Sequence, residues 1–226
     1  MLSLTSSPEF IENRRQESAR PVFPHPWTKE NKLVEVSIPE ELPAGSIIYS
    51  LPAINPKDGS PVPITVQGDM KEAFSVDPDT GAISIAHSLD FESMAPNDRT
   101  FSLTFTAGSP GYESVAELKI TVTNVDDNPP ALDKEGPHNE VAIPENLPPS
   151  TVIARLGLTD ADDLEYSGTF SVEKSGFGSE LYAASIVNGT LVVSVAENAT
   201  LDREKMERQT VHLRVKDGAG NQDSAT

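Results

Sequence analysis

The chain contains two related copies of one pattern. The run Pro39-Glu40-Glu41-Leu42-Pro43 returns 105 residues later as Pro144-Glu145-Asn146-Leu147-Pro148, and Leu89-Asp90-Phe91-Glu92 returns 112 residues later as Leu201-Asp202-Arg203-Glu204. The offsets differ by seven, so the second copy carries a seven-residue insertion between these landmarks. Repeats of roughly 100 residues are tandem domains, because solenoid and propeller units run to only about 20–50. Each copy is long enough to bury a core of its own.

Between the copies lies Asn124-Val125-Asp126-Asp127-Asn128-Pro129-Pro130. Four oxygen-bearing side chains fall within five residues and are stopped by two prolines, which makes a short, stiff, acidic joint suited to hard cations. The whole chain has 35 acidic and 17 basic residues, a net charge of −18. That balance excludes nucleic acid and an anionic membrane surface as partners, since both need a cationic face. There is no cysteine, so neither disulfides nor thiolate metal sites contribute. The four histidines, His25, His87, His138 and His212, show no ligand spacing.

No run of 18 apolar residues is present, and residues 1–20 lack the apolar core of a secretory signal. They are read as a disordered N-terminal segment, and the chain as a fragment of a larger, membrane-anchored parent whose transmembrane segment lies elsewhere. Two sequons, Asn188-Gly189-Thr190 and Asn198-Ala199-Thr200, would be glycosylated if that parent is secreted; Asn188-Gly189 reads equally well as a two-residue hairpin turn.

Alternation of apolar and polar residues predicts strands throughout. In the first copy they fall at residues 34–38, 46–51, 63–67, 74–76, 81–86, 101–105 and 118–122. In the second they fall at 140–143, 151–158, 169–172, 181–185, 190–195 and 210–216, with the seventh strand absent. Seven short strands broken by Pro and Gly clusters predict an antiparallel β-sandwich.

Several motifs, in order, resemble the extracellular repeats of the cadherin superfamily. Pro21-Val22-Phe23 looks like a repeat start, Pro39-Glu40 like the "PEN" element, and Leu89-Asp90-Phe91-Glu92 like "LDRE". Asn124 to Pro130 resembles the "DxNDNAP" linker, Asp160-Ala161-Asp162 the "DAD" element, and Asp217-Gly218 the aspartate closing the penultimate strand. The resemblance implies an all-β chain of two tandem seven-stranded Greek-key β-sandwiches, the second lacking its last strand. It sets the first repeat at residues 21–125, a calcium-binding linker at 126–130 and a C-terminally truncated second repeat at 131–226.

The acids can be placed without the family. Asp90 and Glu92 are two apart in an extended segment, so both side chains leave one face about 6.6 Å apart along the chain. Asp160 and Asp162 repeat this arrangement. Calcium takes six to eight oxygens in flexible geometry, whereas magnesium demands a tight octahedron, so loops of two domains favour calcium. Carried over residue by residue, the resemblance implies that Glu40, Asp90 and Glu92 of the first repeat act with Asn124, Asp126, Asp127 and the backbone carbonyls of Val125 and Asn128. Asp160, Asp162 and Asp217 of the second repeat complete about three Ca²⁺ sites. The eight carboxylates in this set would repel one another without cations, leaving a loose joint; three ions would leave a residual charge near −2 and stiffen it.

There are departures from the family pattern. Asn124 stands where the linker usually begins with Asp, and Asp126 where it usually has Asn, which implies a weaker middle site and a stronger outer one. The first repeat has no Asp-x-Asp after its second strand and has Ala107-Gly108 in place of Asp217-Gly218, so its free end is expected to hold no calcium cluster. At the other extreme, Glu145, Asp202 and Glu204 form half of a further cluster and are expected to bind calcium poorly alone. Trp27 lies behind 26 residues and is expected to pack on its own module instead of exchanging into a partner.

The resemblance implies calcium-dependent cell-cell adhesion on the extracellular side of the plasma membrane, with another cadherin-like ectodomain, in cis or trans, as partner. The alternative is a nonadhesive ligand- or toxin-binding receptor module on the same sandwich. Catalysis is not expected: an i, i+2 acid pair at a domain end lacks the cleft that separates and desolvates the two carboxylates of a glycosidase.

Overall fold

The computed structural model describes residues 20–68, 72–134, 140–162 and 167–226. The N-terminal segment read as disordered lies, up to residue 19, outside the described residues. The chain divides into two compact units, Met1–Thr123 and Asn124–Thr226.

In the first unit β1 (Leu33–Pro39), β5 (Ile64–Gly68), β8 (Thr100–Ala107) and β9 (Ser114–Thr123) form one sheet in the order β1-β9-β8-β5. A second sheet, β2-β7-β6, contains β2 (Ile47–Ser50), β6 (Phe74–Val76) and β7 (Ala82–Ile85), and a small hairpin joins β3 (Ala53–Ile54) to β4 (Pro61–Val62). The hairpin is additional to the seven strands expected. Alternation holds where it was read: Phe101, Leu103 and Phe105 of β8, with Leu118, Ile120 and Val122 of β9, are buried while intervening residues are more exposed. Phe74 meets Phe101 edge-on, with centroids 4.9 Å apart. Trp27 packs against Phe23 and donates its indole N–H to the Val115 carbonyl at 2.8 Å, so it lies in its own unit's core. Strand β1 runs parallel to β9, with Leu33 opposite Glu117 and Pro39 opposite Thr123. This pairing brings Glu40 beside the end of β9.

The second unit has a sheet β10-β11-β14-β13, from β10 (Ala131–Leu132), β11 (Val152–Thr159), β13 (Tyr182–Val187) and β14 (Thr190–Val195). Its other sheet, β12-β15-β16, contains β12 (Ser171–Ser175), β15 (His212–Lys216) and β16 (Gln222–Ala225). Leu156, Leu158, Leu191, Val193, Val195, Leu213 and Val215 make the core. Asn188 and Gly189 both have positive φ, 48° and 67°, as a tight hairpin turn between β13 and β14 demands.

The second unit departs from the sequence reading at two strands. The last strand of the second unit is present in shortened form, because β16 pairs antiparallel with β15 from Lys216↔Gln222 to Leu213↔Ala225. The strand expected at Glu140–Ile143 is not formed, and Val141 is 44% exposed. The reason follows from the first unit, where β1 pairs with Glu117–Thr123, the distal part of a ten-residue β9. The four residues of β16 correspond to the proximal part, so the segment at 140–143 has no ladder to join.

Asp223 of β16 fastens the start of this unit instead. Its carboxylate accepts the Leu132 N–H at 3.0 Å and the Lys134 ammonium at 2.6 Å. Partial burial alone would raise its pKa, but the Lys134 hydrogen bond and the Leu132 and Ser224 amides hold it below the usual carboxylate range. A depressed folded pKa gives stability that is present above the unfolded value of about 3.9 and lost as pH falls through the folded value. Asp223→Asn should therefore lower the second unit's stability by about 1–2 kcal/mol at pH 7. In thermal melts the difference from wild type should shrink below about pH 4.

Candidate acidic sites of the two units

At the end of β1 the chain turns sharply, with Glu41 in the left-handed region at φ 59°. Its equivalent in the second unit, Asn146, has the same φ, and asparagine tolerates that region better than glutamate does. The turn is fixed by the Glu40 N–H on the Thr123 carbonyl (3.1 Å) and the Glu41 N–H on the Leu89 carbonyl (2.9 Å). Leu89 is buried in the core, so the residues after it are carried at the unit's surface on a fixed anchor. Asp90 accepts the Ser93 N–H at 3.0 Å, and the Phe91 N–H donates to the buried Glu40 carboxylate. Carboxylate oxygens of Glu40, Asp90 and Glu92 lie within 4.8 Å of one another. Three acids so close, with oxygen donors only, are a donor set for a hard cation.

The second unit repeats this construction. The Asn146 N–H donates to Leu201 (3.1 Å), the Arg203 N–H donates to the Glu145 carboxylate (3.3 Å), and Glu145, Asp202 and Glu204 also have oxygens within 4.8 Å. Here Glu145 and Glu204 are more exposed than Glu40 and Glu92, while Asp202 is less exposed than Asp90 and is paired with the Lys205 ammonium at 3.0 Å.

The opposite end of the second unit gathers the linker. The Asn128 N–H and side-chain amide donate to Asp162 at 2.9 and 3.2 Å, and the amide also donates to Asp127 at 2.8 Å. Asp126 accepts the Ala219 N–H at 3.0 Å and the Asn221 side-chain amide at 3.4 Å. Asp217 accepts the Gly220 and Asn221 N–H groups at 2.7 and 2.8 Å, and the Asp162 N–H donates to Asp160 at 3.0 Å. Asn124, Asp162 and Asp217 are buried, whereas Val125 and Asp127 are exposed.

The electrostatics of this end are unfavourable. Burial first, then the charges of Asp217 and Asp162, pushes the Asp126 pKa up, and burial followed by Asp162, Asp217 and Asp126 does the same to Asp160. Asp160 Oδ2 and Asp217 Oδ2 are buried with no hydrogen-bond partner among the described residues. Buried acceptors are ordinarily satisfied, so these two atoms call for a donor or a cation. An all-oxygen set of this kind suits calcium.

Within each unit, then, the structure groups acids read from the sequence: Glu40, Asp90 and Glu92 in the first, and in the second Asp127 and Asp162 bridged by Asn128, with Asp126 and Asp160 close enough to Asp162 and Asp217 to feel their charges. Sequence reasoning missed Asn221, which braces Asp126, and Ser167, whose carbonyl accepts the Gly218 N–H at 2.7 Å. The run Asp217-Gly218-Ala219-Gly220-Asn221 carried the signal for Asn221, as a turn whose amides can wrap an aspartate. At the first unit's other end, Asp58 is engaged by the Ser60 hydroxyl and N–H, at 2.6 and 2.9 Å, and is held below its ordinary pKa by them.

Comparison with known proteins agrees with this architecture. The family model for the cadherin domain matches residues 34–123. Protocadherin Fat 4 of Mus musculus is 29% identical over 196 residues, 82% of this chain and 4% of that protein. Cadherin-related family member 1 of Rattus norvegicus is 30% identical over 187 residues, 81% of this chain and 20% of the relative. The chain thus spans only a small part of the curated relatives it matches. A structure of protocadherin gammaB7 EC3-6, described as a cis-dimer, superposes with a TM-score of 0.69 at 25% identity over 91% of this chain and 46% of that one. The chain belongs to the cadherin superfamily, as tandem repeats of its β-sandwich. No helix among the described residues is long and apolar enough to cross a membrane.

A raised folded pKa means that the ionised form is disfavoured by folding, so at pH 7 without cations Asp160 costs stability, and the cost is relieved as pH falls through the raised value. Asp160→Asn should raise the melting temperature in chelator, by about 1 kcal/mol or less after solvent screening, roughly 2–4 °C. The same variant should reduce the additional rise that millimolar calcium gives wild type.

Proposed function

We propose that the chain is a calcium-dependent cell-cell adhesion module, in which about three Ca²⁺ ions are held jointly by the two units and the strap between them. Glu40, Asp90 and Glu92 supply the first unit's ligands. Asn124, Asp126, Asp127 and the carbonyls of Val125 and Asn128 supply the strap's, and Asp160, Asp162 and Asp217 the second unit's. The observation that carries this reading is the pair of buried oxygens on Asp160 and Asp217 without a hydrogen-bond partner among the described residues, at an end where burial, and after it neighbouring carboxylates, push the pKa values of Asp126 and Asp160 up. Calcium would supply the missing positive charge and fix the coupling between repeats.

The chain's own groups prepare for this. Backbone amides of Ala219, Gly220 and Asn221 and the Asn128 amide orient the carboxylates before any ion arrives. Extracellular modules bind calcium at about 10⁻⁴–10⁻³ M, so millimolar calcium fills such sites and cytosolic calcium does not. At about ten times the dissociation constant, occupancy stabilises the bound form by roughly 1.4 kcal/mol per independent site. The parent is placed on the extracellular side of the plasma membrane, with another cadherin-like ectodomain as partner in cis or trans and with Asn188 and Asn198, both exposed, available for glycans. No catalytic role is assigned.

Beads coated with the chain should aggregate in millimolar calcium and disperse in chelator. Calcium binding without aggregation would support the nonadhesive receptor reading instead. Absence of both would reject the proposal.

A further inference from the structure

The two copies of the Leu-Asp-x-Glu turn differ at their central residue. In both, the N–H of that residue donates to the glutamate that ends the preceding turn, Phe91 to Glu40 and Arg203 to Glu145. In the second unit the side chain is an exposed guanidinium, 3.6 Å from Glu204. In the first it is the half-buried ring of Phe91, and the guanidinium arrives from elsewhere: Arg99 Cζ lies 3.5 Å from the ring centroid. Val211 stands where Arg99 would fall in the second copy, by the same 112-residue offset. The stacked pair is thus a property of the first unit alone.

Both partners are tied to fixed backbone. The Arg99 carbonyl accepts the Val122 N–H of β9 at 2.9 Å, and the Phe91 carbonyl accepts the Met94 N–H at 3.2 Å. Arg99 Nε is buried without a hydrogen-bond partner among the described residues, so the face of the phenyl ring is its compensating contact. A guanidinium over an aromatic face within about 6 Å is attractive, more so when partly desolvated. Phe91 has Asp90 on one side and Glu92 on the other, and its N–H holds Glu40. Clamping its ring therefore limits the motion of all three carboxylates together.

We infer that the Phe91–Arg99 stack is a positioning device that presets Glu40, Asp90 and Glu92 for a divalent cation. Arg99 is not a ligand; it acts through the ring on the acid-bearing turn. This rests on the calcium reading of those acids and adds a determinant of their affinity. The equivalent acids of the second unit have no such clamp: Glu145 and Glu204 are more exposed than Glu40 and Glu92, and Asp202 is paired with Lys205.

The test is a double-mutant cycle on the whole chain, with calcium alone as titrant in calorimetry. Phe91→Leu and Arg99→Leu should each weaken the binding step that depends on Glu92 by about three- to tenfold. The double variant should be no weaker than the worse single one, because both remove one contact. Arg99→Lys, which keeps a cation over the ring, should stay within about twofold of wild type, and Arg99→Gln should not. In chelator, hydrogen exchange at the Phe91 amide should speed up in the weakened variants. Additive losses in the cycle, or unchanged affinity and exchange, would overturn the inference. Wild type that binds no calcium would overturn the underlying reading instead. Should the leucine variants not fold, the Lys and Gln pair decides the matter by the same comparison.

Discussion

Crowded like charge, held in place by backbone amides, is the constraint on which the rest of this chain depends. A sandwich can bury its alternating apolar faces wherever its loops go, and both units do so with ordinary β-branched, leucine and phenylalanine cores. The loop acids are different. Asp126, Asp160 and Asp217 of the second unit accept N–H groups of nearby turns, yet burial and then neighbouring negative charge push the pKa values of Asp126 and Asp160 up, and two oxygens, on Asp160 and Asp217, have no hydrogen-bond partner among the described residues. A fold that spends hydrogen bonds to gather repelling carboxylates is organised for a missing positive charge.

The two units solve one problem by the same means. In each, a buried leucine, Leu89 or Leu201, anchors the acid-bearing turn, and the N–H two residues on reaches back to the glutamate of the Pro-Glu pair, Glu40 or Glu145. Backbone geometry is therefore common to the copies, and side chains set the differences. Phe91 under Arg99 makes a firm turn in the first unit, while Arg203 and Lys205 leave the second partly charge-compensated, with both its glutamates exposed.

Much of this was legible in the residues. The repeat and the strand alternation rest on spacing, and spacing survives folding because a strand's period is two. The Asp-x-Glu and Asp-x-Asp pairs were legible as motifs, but not in the extended form expected of them: Phe91–Ser93 form a turn and Ala161–Asp162 a bend, closed by N–H groups on the Asp90 and Asp160 carboxylates. What was hidden depended on pairing partners far along the chain. The segment at 140–143 has an apolar alternation equal to that of β1, yet stays out of a sheet because the stretch of edge that would receive it is not part of the four-residue β16. The short β16 and the brace from Asp223 to Leu132 and Lys134 were equally out of reach, since neither has a local signature. Asn221 and Arg99 were missed because each acts on a functional residue and not as one.

The most direct test of the central claim is small-angle scattering of the whole chain in chelator and in millimolar calcium. If cations complete the acidic ends and fix the coupling between repeats, calcium should sharpen the pair-distance distribution and narrow the ensemble of sizes that fits the profile. The change should disappear when Asp126 and Asp217 are both replaced by asparagine. Superimposable profiles in chelator and calcium, with calcium present well above its dissociation constant, would contradict the account.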